Sequence, residues 1–312
     1  MNILVTGGAG FIGSWVSSEY LKDGHNVVIV DNLYSGIKEN VPEEADFIEC
    51  DIKNRSDLEE IFRKFKPEIV NHHASQINVR DSVERPAFDA ETNIIGSINI
   101  LELSVKYNVE RFIFSSTGGA IYGEPENVPV SENTVQSPLS PYGVSKLSVE
   151  NYIKYYNRIY SLNYVILRYS NVYGQRQNPH GEAGVVAIFC TNILNKKPCI
   201  VFGGGLQTRD YVHVADVAAA NLLSLKSKSG IYNIGTSIET SVNDIISSLK
   251  NITGNDFTII YEKERPGEVN RISLKNDFAK ENLGWSPEFN FEKGLEQTWN
   301  WFRETHQKQT IL

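Results

Sequence analysis

Tyr142 and Lys146 stand four residues apart, separated by Gly143, Val144 and Ser145, in a stretch that reads as the start of a helix. On a helix that spacing puts a phenol and an ammonium on one face. A neighbouring ammonium stabilises phenolate and draws the phenol's pKa toward neutrality, which makes a tyrosine a usable general base. The spacing alone more often marks a packed ring beside a solvated lysine, so a partner is needed. Phe114-Ser115-Ser116-Thr117-Gly118 supplies one, because a strand pattern ends there and leaves hydroxyls at its carboxyl edge. Thr117 can share a substrate hydroxyl with Tyr142. Ser115 and Ser116 are open to a site role or to local capping of the strand end.

A second constellation opens the chain. Thr6-Gly7-Gly8-Ala9-Gly10-Phe11-Ile12-Gly13 follows the apolar run Asn2-Ile3-Leu4-Val5 and precedes a stretch, Ser14 to Leu21, that can continue as a helix. Gly7, Gly10 and Gly13 then lie at a strand-to-helix turn, where a pyrophosphate can approach the backbone and the free N–H groups of the helix start. A second apolar run, Asn26 to Val30, delivers Asp31 at its end, placed to accept hydrogen bonds from both hydroxyls of an adenosine ribose. A 2′-phosphate would meet like charge there, so the expected cofactor is NAD rather than NADP.

The elements that must hold these groups alternate. Strand patterns cover 2–6, 26–31, 46–49, 68–72, 110–116 and 164–169, and helical patterns cover 11–23, 56–65, 87–107 and 142–160. Such alternation implies right-handed crossovers and a parallel sheet covered on both faces, with ligands beyond the carboxyl ends of the strands. The fold class expected is α/β: a Rossmann-type doubly wound parallel sheet with a smaller α/β substrate-binding domain. The segment 117–141, rich in Gly, Pro and Ser, reads as an active-site loop. After Tyr173-Gly174 the pattern becomes irregular. A helix over 212–225 and a strand at 231–234 return to the first unit. The division is therefore 1–175 with 210–236 for the cofactor, and 176–209 with 237–312 for the substrate. Helices 87–107 and 142–160 carry extended apolar faces, to be buried against a second copy or against the sheet.

Bulk properties exclude other classes. The chain has 312 residues, a net charge of −8 and three cysteines far apart, Cys50, Cys190 and Cys199. No basic block suggests a nucleic-acid surface, and no apolar run approaches the roughly 18 residues that span a bilayer. The chain starts directly on a strand, and no signal peptide is read there. The cysteines read as reduced, mostly buried thiols, and the compartment expected is the cytoplasm. His72-His73 invites a metal reading, but adjacent strand residues face opposite ways and no metal site is expected.

Taken together, the glycine loop, Asp31, Thr117, Tyr142 and Lys146 resemble the extended short-chain dehydrogenases/reductases. Asp31-Asn32-Leu33-Tyr34-Ser35-Gly36, Pro138 to Lys146, Leu167-Arg168-Tyr169-Ser170-Asn171-Val172-Tyr173-Gly174, Arg209-Asp210-Tyr211-Val212-His213-Val214-Ala215-Asp216, Arg265-Pro266-Gly267-Glu268 and Leu283-Gly284-Trp285 narrow the resemblance to the UDP-sugar 4-epimerases, over essentially the whole chain. Related 4,6-dehydratases carry an Asp-Glu pair just after the strand-end hydroxyl, and decarboxylases a Glu in that region. Here Gly118-Gly119-Ala120 follows Thr117. Without an elimination acid, oxidation at C4 leaves only return of the hydride, and return to the other face is epimerisation.

The resemblance implies an NAD-dependent UDP-hexose 4-epimerase acting on UDP-glucose/UDP-galactose, on UDP-N-acetylglucosamine/UDP-N-acetylgalactosamine, or on both, through a 4-keto intermediate. The alternatives are a nucleotide-sugar 4-reductase or dehydrogenase with exchangeable cofactor, a 4-epimerase of another sugar such as UDP-glucuronate, and a non-catalytic NAD-binding module. The last is opposed by the presence of both Tyr142 and Lys146. The implied catalytic residues are Thr117, Tyr142 and Lys146. Gly7, Gly10, Phe11, Ile12, Asp31, Asn32, Asp51, Ile52, Ala74, Ser75, Gln76, Asn93, Ser115 and Tyr169 would join Tyr142 and Lys146 around NAD. Besides Thr117, the UDP-sugar would meet Asn171 at the diphosphate, Gly184 and Val185 at the uracil and ribose, Arg209 and Arg265 at the phosphates and Glu268 at a ribose hydroxyl. Glu268 is longer than the family's usual Asp, and His73 stands where the family usually has an apolar residue. Ile272, four residues past Glu268, falls at the position beside the sugar C2 substituent, where a tyrosine excludes an N-acetyl group and smaller residues admit one. The two apolar helices resemble the pair that forms a dimer's four-helix bundle in this class, so a homodimer is expected.

Overall fold

A computed structural model describes residues 1–179, 184–264 and 269–311. Seven parallel strands form the central sheet. Its first six are β1 (Asn2–Thr6), β2 (Asn26–Asp31), β3 (Asp46–Glu49), β4 (Ile69–His72), β5 (Arg111–Thr117) and β6 (Asn163–Tyr169). Three two-stranded pairs lie outside it: β7 (Asn171–Tyr173) with β10 (Tyr211–His213), β8 (Cys199–Phe202) with β13 (Ile259–Glu262), and β9 (Thr208–Arg209) with β12 (Thr240–Ser241). The seventh strand of the sheet is β11 (Gly230–Ile234), and the order across it is β11-β6-β5-β4-β1-β2-β3. The architecture is the Rossmann-like α/β sheet expected from the alternating pattern.

Register brings the strand ends level. Thr6 pairs with Val30 on one side and His72 on the other, His72 with Phe114, and Thr117 with Tyr169. Thr6, Asp31, His72, Thr117 and Tyr169 thus mark one carboxyl-terminal edge.

Alternation along the strands makes two cores. Ile3, Val5, Val27 and Ile29 pack with Val16 and Tyr20 of α1 (Phe11–Lys22) and Val217 and Ala220 of α9 (Val214–Ser224). Leu4, Val28 and Val70 face α2 (Arg55–Phe65), α5 (Gly96–Lys106) and α7 (Pro141–Tyr160). A third core joins α8 (Val185–Leu194), α10 (Val242–Thr253) and α12 (Phe291–Ile311) around Phe189, Ile245, Leu249 and Leu295.

Four expectations need correction. The helix read over 87–107 is α4 (Pro86–Ala90), a π-helical turn Glu91–Ile95, and α5. Hydrophobic spacing does not register one widened turn, and such turns gather at functional sites. The helix read from 212 begins at Val214, because Tyr211–His213 extend to pair with β7. The loop 117–141 contains a one-turn helix, α6 (Gly118–Ile121). Finally, the tail is shared. Ala279 and Leu283 of α11 (Asp277–Leu283), with Trp285, belong to the core of the large sheet, and the Trp285 indole donates to the Asp216 carbonyl at 2.8 Å.

Candidate active site

The glycine loop is dictated by space. Gly7 has φ +70° and a Cβ there would lie 2.6 Å from the Ala74 nitrogen, while a Cβ on Gly13 would lie 2.2 Å from the Gly7 carbonyl oxygen. Gly10 donates its N–H to that same carbonyl at 3.1 Å and precedes α1, whose first residues are Phe11 and Ile12. Asp31 ends β2 with its carboxylate buried. One oxygen accepts from the Ala9 N–H at 3.0 Å and the other from the Leu33 N–H at 2.8 Å, ties that oppose the upward push of burial on its pKa. Asn32 donates to Asp51 at 3.0 Å, and Ile52, beside it, is buried against Gly96. These groups form a glycine cradle with an acidic far end, which fits a dinucleotide.

The loop after β4 continues the edge. Ala74 donates to Thr6 Oγ1 at 3.2 Å. Ser97 donates to the Asn93 carbonyl at 2.5 Å and so accepts from His72 Nε2 at 2.8 Å, leaving Nδ1 to accept from the Thr6 hydroxyl at 2.6 Å. His72 is thus a satisfied core histidine. The His73 ring stacks on Tyr169, and burial followed by Lys146 brings it down to about 3. Among the described residues no cluster of His, Cys, Asp or Glu could hold a metal ion. Ser75 is half-buried in the same loop. Gln76 and Asn93 exchange two hydrogen bonds, Gln76 N to Asn93 Oδ1 at 2.7 Å and Asn93 Nδ2 to the Gln76 carbonyl at 2.9 Å.

Tyr142 and Lys146 sit on α7. Pro141 opens that helix and Ser140 caps it, accepting from the Gly143 N–H at 3.2 Å. Lys146 is buried, donates to the Ser115 carbonyl at 2.9 Å, and lies 4.9 Å from the Phe114 ring centroid and 5.9 Å from that of Tyr142. Burial draws the ammonium down to about 8, while Asp89 and Glu150 act the other way. Tyr142 and Thr117 are half-buried, and Tyr142 N donates to Ser82 Oγ at 3.2 Å. The two open serines separate. Ser115 acts on the Tyr169 phenol, whose hydroxyl accepts from Asn221 at 2.8 Å and which burial pushes up. Ser116 instead donates to Glu150 at 2.6 Å inside the core. Glu150 forms a buried pair with Arg168, at 2.6 and 3.0 Å, that ties α7 to β6.

The residues expected to meet the UDP-sugar come from distant segments. Asn171, half-buried, donates its N–H to the Asp210 carbonyl at 2.8 Å. Arg209 lies on β9, where Thr208 and Arg209 pair with Ser241 and Thr240. Its guanidinium donates to the Thr208 carbonyl at 2.8 Å. Gly203 and Gly204 form the turn between β8 and β9. Gly184 precedes α8 and Val185 opens it. Ile272 packs with Ile121, Tyr122, Val130 and Leu274, and it also lines a narrow crevice with Gly119, Ser170, Asn171 and Asp210. Arg265 and Glu268 lie outside the described residues.

Several organising residues escaped sequence reasoning. Asp210 accepts from the Thr236 N–H and hydroxyl, the Ser237 N–H and the Leu274 N–H. Asp89 and Glu150 are fully buried carboxylates. Their available signal was an acidic residue one helical turn from a site residue: Asp89 before Asn93, Glu150 after Lys146.

The NAD dependent epimerase/dehydratase family matches residues 3–235. The crystal structure of UDP-glucose 4-epimerase from Thermotoga maritima with UDP-glucose superposes with a TM-score of 0.96, at 50% identity over 98% of this chain and 99% of that one. UDP-glucose 4-epimerase from Thermus thermophilus, in complex with NAD, gives 0.94 at 42% identity over 97% and 99%. UDP-N-acetylglucosamine 4-epimerase from Methanobrevibacter ruminantium M1, in complex with UDP-N-acetylmuramic acid, gives 0.92 at 34% identity over 97% and 98%. With its family match over most of the chain and relatives spanning nearly all of it, this chain belongs to the NAD dependent epimerase/dehydratase family.

Proposed function

We propose that this protein is an NAD-dependent UDP-hexose 4-epimerase, acting on UDP-glucose and UDP-galactose and on their N-acetylated counterparts. The observation that carries this reading is the Tyr142–Lys146 pair tied to the end of β5 through the Ser115 carbonyl, two residues before Thr117, with Gly118-Gly119-Ala120 following where an eliminating enzyme of the class needs acid. Bound NAD supplies a reversible hydride acceptor for the sugar C4. Tyr142, as phenolate, takes the O4 proton as C4 is oxidised, and the Lys146 ammonium stabilises that phenolate. Thr117 hydrogen-bonds O4 and orients it. The 4-keto sugar turns about its diphosphate linkage, held through Asn171 and Arg209. C4 is then reduced on its other face, and Tyr142 returns the proton to O4. Protons and hydride balance, so the cycle needs no added reductant. Gly7, Gly10, Asp31 and the 74–76 loop are the groups that would hold NAD.

Ile272 supports use of N-acetylated sugars, because its aliphatic side chain is smaller than the tyrosine that excludes them in this class. The similar UDP-N-acetylglucosamine 4-epimerase supports the same choice. The domain assignment follows the sequence division, amended by the return of 277–285 to the large sheet. Exposed Val144, Tyr152, Tyr155 and Ile159 on α7, with Ile95 nearby, support a homodimer built on this face. Three buried free thiols support a reducing compartment, taken as the cytoplasm. Among the described residues no helix is long and apolar enough to cross a membrane.

The deciding experiment incubates the purified protein with a panel of UDP-sugars and follows the C4 epimers by NMR. Equilibration of both epimers without added reductant is expected for the plain and N-acetylated hexoses. Net accumulation of reduced cofactor, or turnover of UDP-glucuronate alone, would replace the reading.

A further inference from the structure

Asp89 is wholly buried on α4, beyond the reach of solvent. A lone buried carboxylate is costly unless donors surround it. Here three side chains from three segments converge on it. Ser145 donates to Oδ2 at 2.6 Å, and Asn93 Nδ2 and Gln76 Nε2 donate to Oδ1 at 3.0 and 3.1 Å. Gln76 is in the loop that packs against the glycine turn, Asn93 in the π-helical turn, and Ser145 between Tyr142 and Lys146 on α7. Pinning one residue of a helix fixes its rotation, and with it the direction of neighbours three back and one ahead.

We propose that Asp89 is a positioning residue for epimerisation, its carboxylate locking the cofactor loop, the Asn93 turn and the Tyr142–Lys146 helix into one body. The proposal rests on the reading of Tyr142 and Lys146 as the proton-transfer pair. It adds a function for the π-helical turn, which presents Asn93 to Asp89 and to the Gln76 backbone at once.

Asp89 also acts on Lys146 through charge. The groups facing the Lys146 ammonium are Asp89 from α4, Glu150 and Tyr142 from α7, His72 at the end of β4 and His73 in the loop just after it. Burial holds both histidines neutral, so Asp89 and Glu150 are the charges that favour the ammonium. Neutralising Asp89 makes Lys146 lose its proton at lower pH. The alkaline fall of kcat then moves to lower pH as well, since the phenolate needs the ammonium.

The test compares Asp89→Asn and Ser145→Ala with the wild-type holoenzyme, using kcat, the KM for UDP-galactose, and the pH profile of kcat. A small displacement of catalytic groups costs up to about 100-fold, so Asp89→Asn is expected to lower kcat by about 10- to 100-fold. Its KM should stay within about threefold, because the sugar contacts are untouched. Its alkaline limb should move down by about one pH unit. Ser145→Ala keeps the charge and loses one tether, so kcat should fall by about threefold to tenfold with the limb in place. A merely structural Asp89 would lower thermal stability and leave kcat and the limb unmoved, and that result overturns the proposal. If Asp89→Asn does not fold, Ser145→Ala decides: a lower kcat at constant KM supports the tether, and an unchanged kcat overturns it. An active Tyr142→Phe enzyme would instead count against the reading on which the proposal rests.

Discussion

The two sides of the cleft are built by different means. On the cofactor side, the glycine turn and Asp31 come from one continuous strand–helix–strand segment; Gly13 and Asp31 are held by backbone within or just past it, and only the close approach of Ala74 to Gly7 comes from elsewhere. Of the residues proposed to meet the sugar, Asn171, Arg209 and Ile272 come from three separate segments joined by the short β7–β10 pairing, by single bridges and by one carboxylate. Thr208 pairs with Arg271, Val130 with Leu274, and Asp210 collects N–H groups from Thr236, Ser237 and Leu274. A segment that contains its own geometry can be read from spacing. A pocket assembled from distant chain reveals itself only when the bridges are seen.

The contrast can be tested by breaking each side in turn. The largest effect belongs to the chemistry between them. Tyr142→Phe is expected to lower kcat by at least about 10²-fold while UDP-sugar binding, measured calorimetrically, is largely kept. A near-normal kcat would remove Tyr142 as the base. Next, Asp210→Ala leaves several buried N–H groups without an acceptor. The KM for UDP-galactose should rise by about 10-fold with NAD affinity unchanged, and a parallel loss of NAD would mean that the two sides are not separable. On the other side, Asp31→Ala should weaken NAD by about 10-fold and narrow the gap to NADP, which paired binding titrations report. Equal affinity of the wild type for both cofactors would refute the role of Asp31. The smallest change concerns choice rather than rate. Ile272→Tyr should lower kcat/KM for UDP-N-acetylglucosamine about 10-fold more than for UDP-glucose. An equal fall for both would show that Ile272 serves packing alone.

How much was legible follows the same division. The inner sheet strands were readable because parallel strands buried on both faces are short apolar runs with clear ends, whereas β3, mostly exposed at the sheet edge, has no such run. The Tyr142–Lys146 pair was readable because both partners lie on one helix. Glu150 and Arg168 were not, since their 2.6 Å contact joins residues 18 positions apart on different elements. Removing one partner of such a buried pair costs about 3–5 kcal/mol, so Glu150→Gln should lower thermal stability strongly, as melting will report. The π-helical turn was invisible for a simpler reason: its one extra residue leaves the polar and apolar sequence pattern almost unchanged.

The return of β11 and Trp285 to the large sheet bears on how the chain can be made. β6 finds its outer partner only when residues 230–234 have been synthesised, and the first core is filled only when Leu283 and Trp285 arrive. Until then a growing chain carries an uncovered strand edge, the kind of surface that recruits other chains. The cofactor half therefore cannot be excised as a portable module by cutting near residue 175. In this protein the two halves must be inherited, and folded, together.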